Sequence, residues 1–88
     1  MEYQAEIRVT PRAGILDPQG KAIGGALVSL GFAAVSGVHV GRLIRFSLQA
    51  DSMESARVQL EAMCRRLLAN PVIEEFDIRV EEVPGAEQ

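Results

Sequence analysis

Eighty-eight residues suit a single small domain, and the 48% of them that are hydrophobic can fill one modest core but not two. No run approaches the ~20 apolar residues that a membrane-spanning helix needs, so no membrane is expected. Nine basic residues against twelve acidic ones leave a net charge of -3, the wrong sign for a domain that lives on phosphate backbones, so no nucleic acid is expected either.

The eight Arg and one Lys are scattered along the chain and form no basic stripe. A lone Cys64 leaves no internal disulfide and no cysteine-based zinc site. No charged-then-apolar leader follows Met1. A cytoplasmic location is the expectation.

Residues 2–10 alternate: Tyr3, Ala5, Ile7 and Val9 share one face and Gln4, Glu6, Arg8 and Thr10 the other, the pattern of a half-buried strand. After a loop over 11–16, Asp17-Pro18 reads as a helix start. Asp accepts free amide hydrogens at the N-cap, and Pro is pre-shaped for the first helical position. Ile23, Ala26, Leu27 and Leu30 follow at helical spacing, and Gly31 supplies a left-handed stop. Gly24 and Gly25 inside this helix each cost roughly 0.5–1 kcal/mol relative to Ala. Close approach of the helix to the sheet or to another chain accounts for them.

A second strand is expected over residues 33–41, with Val38 and Val40 inward, and a third over 43–50, with Ile44, Phe46 and Leu48 inward. Gly41-Arg42 would be the tight turn between them. Asp51-x-x-Glu54 resembles a capping box, opening a helix whose apolar stripe is Ala56, Leu60, Met63, Cys64 and Leu67. Asn70-Pro71 ends it, because the residue before proline avoids helical backbone. Residues 74–83 form a last strand with Phe76, Ile78 and Val80 inward, and 84–88 a short frayed tail. The expected fold is α+β and ferredoxin-like, β-α-β-β-α-β: one domain over 1–88, with a four-stranded antiparallel sheet and two helices on one face.

Catalytic chemistry is hard to assemble from these residues. His39 is the only imidazole, and the periodicity sets it on the side of the sheet away from Cys64. One His without paired acids holds no metal. Gly20-Lys21-Ala22-Ile23-Gly24-Gly25 matches neither phosphate-loop spacing. An acylphosphatase-like site would need a cradle around Arg12 and an asparagine on a strand, whereas Asn70 is at a helix end. An RNA-recognition sheet would show exposed aromatics where Glu6, Arg8, Arg45 and Ser47 stand. No catalytic, cofactor-binding or metal-ligating residue is assigned.

Two segments carry a resemblance: Leu16-Asp17-Pro18-Gln19-Gly20, and Leu67-Leu68-Ala69-Asn70-Pro71-Val72-Ile73-Glu74. With Ala26-Leu27, Leu30-Gly31-Phe32, Val38-x-x-Gly41-Arg42 and Cys64, they resemble the PurS family, the small subunit of phosphoribosylformylglycinamidine synthase. One departure is Arg42, where the family most often has lysine. The resemblance implies a non-catalytic part in purine biosynthesis, in a complex that uses ATP and magnesium while this chain binds no cofactor. A glutaminase subunit (PurQ) and a synthetase subunit (PurL) would be its partners, with the small subunit joining them for ammonia transfer. Asp17, Pro18, Gly20, Gly41, Arg42, Asn70 and Pro71 are then structural motif residues. The competing expectation is an ACT-like regulatory domain, whose metabolite pocket Gly14 and Gly31 would suit.

A homodimer is expected, with pairing into tetramers left open. In the ferredoxin-like order the second and fourth strands are edges. The fourth is blunted by Glu74, Glu75, Asp77, Arg79, Glu81 and Glu82, while residues 32–41 contain no charged side chain except through His39. The predicted dimer edge is Val35, Gly37, Val38, His39 and Val40.

Overall fold

The computed structural model describes residues 1–84. The strand β1 (Glu2–Pro11) is central, flanked antiparallel by β2 (Arg42–Gln49) and β3 (Glu74–Glu82). Ile7 faces Ile44 on one side and Ile78 on the other, and Ala5 faces Phe46 and Val80, so the inward sets of all three strands share a face. Helix α2 (Met53–Met63) lies on that face over β1 and β3. Tyr3, Ile7, Val9, Leu60 and Cys64 are fully buried there and form the core with Ala5, Ala56, Ala69 and Val80.

The alternation of β1 is therefore realised side chain by side chain. α2 departs from its expected start and end. Its N-cap is Ser52, whose hydroxyl accepts from the Ser55 amide at 3.1 Å, and not Asp51. Its C-terminus widens into a π-helical turn, Cys64–Leu68, closed by the Ala69 amide donating to the Cys64 carbonyl at 2.9 Å. The extra residue in that turn rotates Leu67 outward, 82% exposed, and half-buries Leu68 against the core instead.

The four-stranded sheet is corrected to three strands. Residues 33–41 form no strand: the Val35 amide turns back onto the Phe32 carbonyl at 3.2 Å, and Gly37 sits at a φ of 67°, so the segment bends where a strand would run straight. Gly41-Arg42 is no tight turn either. Gly41 stays out of left-handed backbone and lies flat against the Val9 carbonyl, where any Cβ would collide.

The expectation that both helices cover the sheet is corrected as well. α1 (Pro18–Ser29) starts and stops as its sequence predicts. Asp17 caps it, and Gly31 at a φ of 104° ends it, with the Phe32 and Gly31 amides donating to the Leu27 and Val28 carbonyls at 3.0 Å. Yet it makes no more than marginal contact with any strand. Ile23, Val28, Leu30 and Phe32 remain exposed. α1 and residues 30–41 form an arm that stands off the sheet, giving a radius of gyration of 17.1 Å where a compact chain of this length has about 12 Å. From Gly85 on, the expected tail lies outside the described residues. No helix among the described residues is long and apolar enough to cross a membrane.

Candidate functional site

The two segments that carry the resemblance meet Val38-x-x-Gly41-Arg42 in two clasps, one at each end of residues 38–42. The first clasp is Asp17. One carboxylate oxygen accepts from the Gly20 amide at 2.9 Å and the other from the Val40 amide at 2.9 Å, with His39 Nδ1 at 3.5 Å. The N-cap of α1 thus also ties the returning segment to the helix. Pro18 sets the first helical turn. Gly20 is buried because its Cβ would lie 2.5 Å from the Val38 carbonyl oxygen, and Gly24 lets Val38 approach to 3.4 Å of its own Cβ position. The expected close approach of Gly24 and Gly25 to the sheet or to another chain is corrected: Gly24 meets this chain's own Val38 in the arm, and a Cβ at Gly25 would meet nothing within 4 Å. The amide hydrogens of Gly20 and Val40, with a smaller contribution from His39, hold the Asp17 carboxyl below its ordinary value.

The second clasp is Arg42 with Glu74. The guanidinium donates to both carboxylate oxygens, at 2.9 and 3.2 Å, and to the Leu68 carbonyl at 2.7 Å. Glu74 also accepts from the Asn70 amide at 2.8 Å, while the Asn70 side chain accepts from the Val72 amide at 3.1 Å. Arg12 holds the same turn from the other side. Its Nε donates to the Pro71 carbonyl at 3.0 Å and its amide to the Ile73 carbonyl at 2.9 Å. Arg42 is the foremost reason that the Glu74 carboxyl sits below its ordinary value. Glu74 and Arg12 are the members sequence reasoning missed. Glu74 closes the second motif, yet it was counted only as an acid blunting an edge.

Asp17, Pro18 and Gly20 therefore come together with Val38, His39 and Val40, and Arg42 with Asn70 and Pro71. Gly41, pressed on β1, joins the two groups. Val35 and Gly37 sit farther out on the arm, beside an open groove of about 910 Å³ between α1 and residues 35–39. The groove is lined largely by glycine and aliphatic groups, and its one carboxylate, Asp17, is already occupied by two amides. Cys64 lies in the core, where burial pushes its thiol up, and His39 is out on the arm. Every charged group in the two clasps braces backbone.

The family model described as "PurS: Phosphoribosylformylglycinamidine (FGAM) synthase" matches residues 4–82. The chain belongs to the PurS family. A PurS subunit of phosphoribosylformylglycinamidine synthase from Synechocystis is 40% identical over 84 residues, spanning 96% of this chain and 84% of its own. The structure of Thermus thermophilus PurS is 38% identical, covers 96% of this chain and all of its own, and superposes with a TM-score of 0.81. PurS-like architecture also recurs in the structure of PurLQS from Thermotoga maritima, 28% identical, with a TM-score of 0.83 over 92% of this chain and 99% of that one. Overlap this extensive takes in the arm as well as the sheet, since residues 18–41 are about a quarter of the chain.

Proposed function

We propose that this chain is the non-catalytic small subunit of a phosphoribosylformylglycinamidine synthase complex, joining a glutaminase subunit (PurQ) to a synthetase subunit (PurL) so that ammonia passes between them. The observation that carries the reading is that the family's own motif residues are consumed in holding backbone. Asp17 fixes the arm, and Arg42 with Glu74 fixes the turn at Asn70-Pro71. A structure of PurLQS in which a like chain is found supports the choice of partners. ATP and magnesium belong to the synthetase subunit in this reading, and this chain holds neither.

The chain acts as a homodimer in the same reading, and the four-stranded arrangement with both helices on one face is reached only on association. The edge residues Val35, Gly37, Val38, His39 and Val40 then lie at the contact between copies. The Val40 amide is already given to Asp17, which leaves the segment one hydrogen bond fewer to offer a neighbouring strand.

Reconstitution with the two partner subunits tests the function. The purified chain alone should turn over neither glutamine nor ATP. Added to its partners, it should raise glutamine-dependent synthesis far more than synthesis fed by bulk ammonia, which bypasses the glutaminase. An equal effect on both reactions overturns the bridging role.

A further inference from the structure

We propose that the free edge of β3 takes up an extended segment of a partner protein as an added antiparallel strand, one in which apolar side chains alternate with mostly basic ones. The proposal rests on the reading above for there being such a partner, and it says how one is held.

Backbone alternation decides which groups are on offer. The Val83 amide donates to the Glu2 carbonyl and the Arg12 amide to the Ile73 carbonyl, both at 2.9 Å, so the odd-numbered residues from 73 to 83 bond to β1. Phe76, Ile78, Val80 and Glu82 therefore turn their amides and carbonyls to the open side. Among the described residues β1 is the one neighbour of β3 in the sheet. An edge of this kind is a template for another strand, and proteins close such edges with proline, lysine, bulges or charge. The nine residues of β3 include no proline and no lysine, and their register with β1 runs unbroken from Glu74 to Glu82. Charge alone guards this edge.

Charge also selects. The outer-face side chains Glu75, Asp77, Arg79 and Glu81 are all exposed. Glu75 has Arg12 at 3.7 Å, whereas Asp77, Arg79 and Glu81 enter no ion pair among the described residues. Glu6, which faces Arg79 across the ladder, gives its carboxylate to Arg45 instead. In an antiparallel addition these four positions are the non-hydrogen-bonded pairs, where facing side chains come closest. Opposite charges stabilise such pairs and like charges destabilise them. The edge thus favours a strand with basic groups facing Glu81, Asp77 and Glu75 and an acid facing Arg79.

The remaining side chains of that strand fall on the inner face, beside Phe76 and Ile78, which are half-buried at the margin of the core. Apolar groups fit there. Pairing β3 with a second β3 along its whole length would oppose Glu75 to Glu81 twice, so its own copy is not the favoured occupant.

Peptides test the edge on the intact chain, without the partner subunits. The probe is acetyl-Lys-Val-Glu-Val-Lys-Val-Lys-amide, whose charges meet Glu81, Arg79, Asp77 and Glu75 in turn. Its charge-reversed counterpart is the control. Amide hydrogen exchange is followed residue by residue by NMR.

With the probe at roughly nine times its Kd, exchange at Phe76, Ile78 and Val80 should slow about tenfold, while Asp77 and Arg79, already bonded to β1, change little. The charge-reversed peptide should bind about tenfold more weakly, with four charge pairs inverted. No binding at millimolar probe, binding that leaves these three amides unprotected, or equal binding of both peptides overturns the proposal. Amides that are already slow in the peptide-free chain and quicken on dilution show a second copy on the edge, which overturns it too. Asp77→Lys combined with Glu81→Lys should abolish the preference for the probe once circular dichroism shows the native fold, and a preference that survives refutes the pairing. Where that variant does not fold, the two peptides on the unaltered chain decide. None of these outcomes uses reconstituted synthesis, so the edge and the bridging role stand or fall separately.

Discussion

Asp17 and Glu74 are the two carboxylates whose surroundings most favour the charged form, Asp17 chiefly through the Gly20 and Val40 amide hydrogens and Glu74 chiefly through the Arg42 guanidinium. Each takes one of these partners from a distant part of the chain. Val40 is 23 residues from Asp17, and Arg42 is 32 from Glu74. Both groups ionise below their ordinary values of 3.8 and 4.5 when folded. Their contribution to stability is therefore complete above those values and is lost as the pH falls through the lower, folded ones. Thermal melts should be level at neutral pH and fall once the pH drops below about 4.5. Glu74→Gln keeps an oxygen for the Asn70 amide but loses its charge against Arg42. Its melting temperature should be lower at pH 7, and its decline with acid shallower than that of the unaltered chain. Parallel acid curves would mean that the clasp contributes nothing.

At the scale of an element, helix ends were set by whichever oxygen reached the free amides first. Ser52, at extended backbone angles, points its hydroxyl at the Ser55 amide, and Asp51 one residue earlier makes no cap. Ser52→Ala should cost about 1 kcal/mol, the usual loss for a hydroxyl cap, while Asp51→Ala should stay within a few tenths. Urea unfolding at constant slope distinguishes them, and equal losses would return the cap to Asp51. The π-helical turn after α2 shows the same competition at the other end. It places Leu68 against the core and hands its carbonyl to Arg42, so the turn at Asn70-Pro71 is held by a side chain from a different strand.

On the scale of the whole molecule, a chain with 48% hydrophobic residues still leaves its most apolar helix in solvent. Folding of a lone chain therefore removes less apolar surface than the composition allows, and stability should depend on a second copy. Because association then counts toward folding, the melting temperature should rise with concentration, by about 5–10 °C for a hundredfold increase given two 88-residue chains unfolding together. A melting temperature that does not move between 1 and 100 µM would be that of a self-sufficient monomer.

The strands β1, β2 and β3, the start of α1 at Asp17-Pro18 and its stop at Gly31 were legible in the chain, because each depends on local periodicity or on a cap within three residues. The roles of Gly20 and Gly41 were half legible. The residues stood out, but the Val38 and Val9 carbonyls that exclude a Cβ come from elsewhere in the chain. Residues 33–41 and the placement of α1 were not legible at all. An apolar helix and an uncharged segment look the same in sequence whether they cover their own sheet or await another, since burial depends on the distance between elements and not on the pattern within one. Only the tertiary structure decided that the arm stands away, and with it that the Asp17, Arg42 and Glu74 side chains serve as braces.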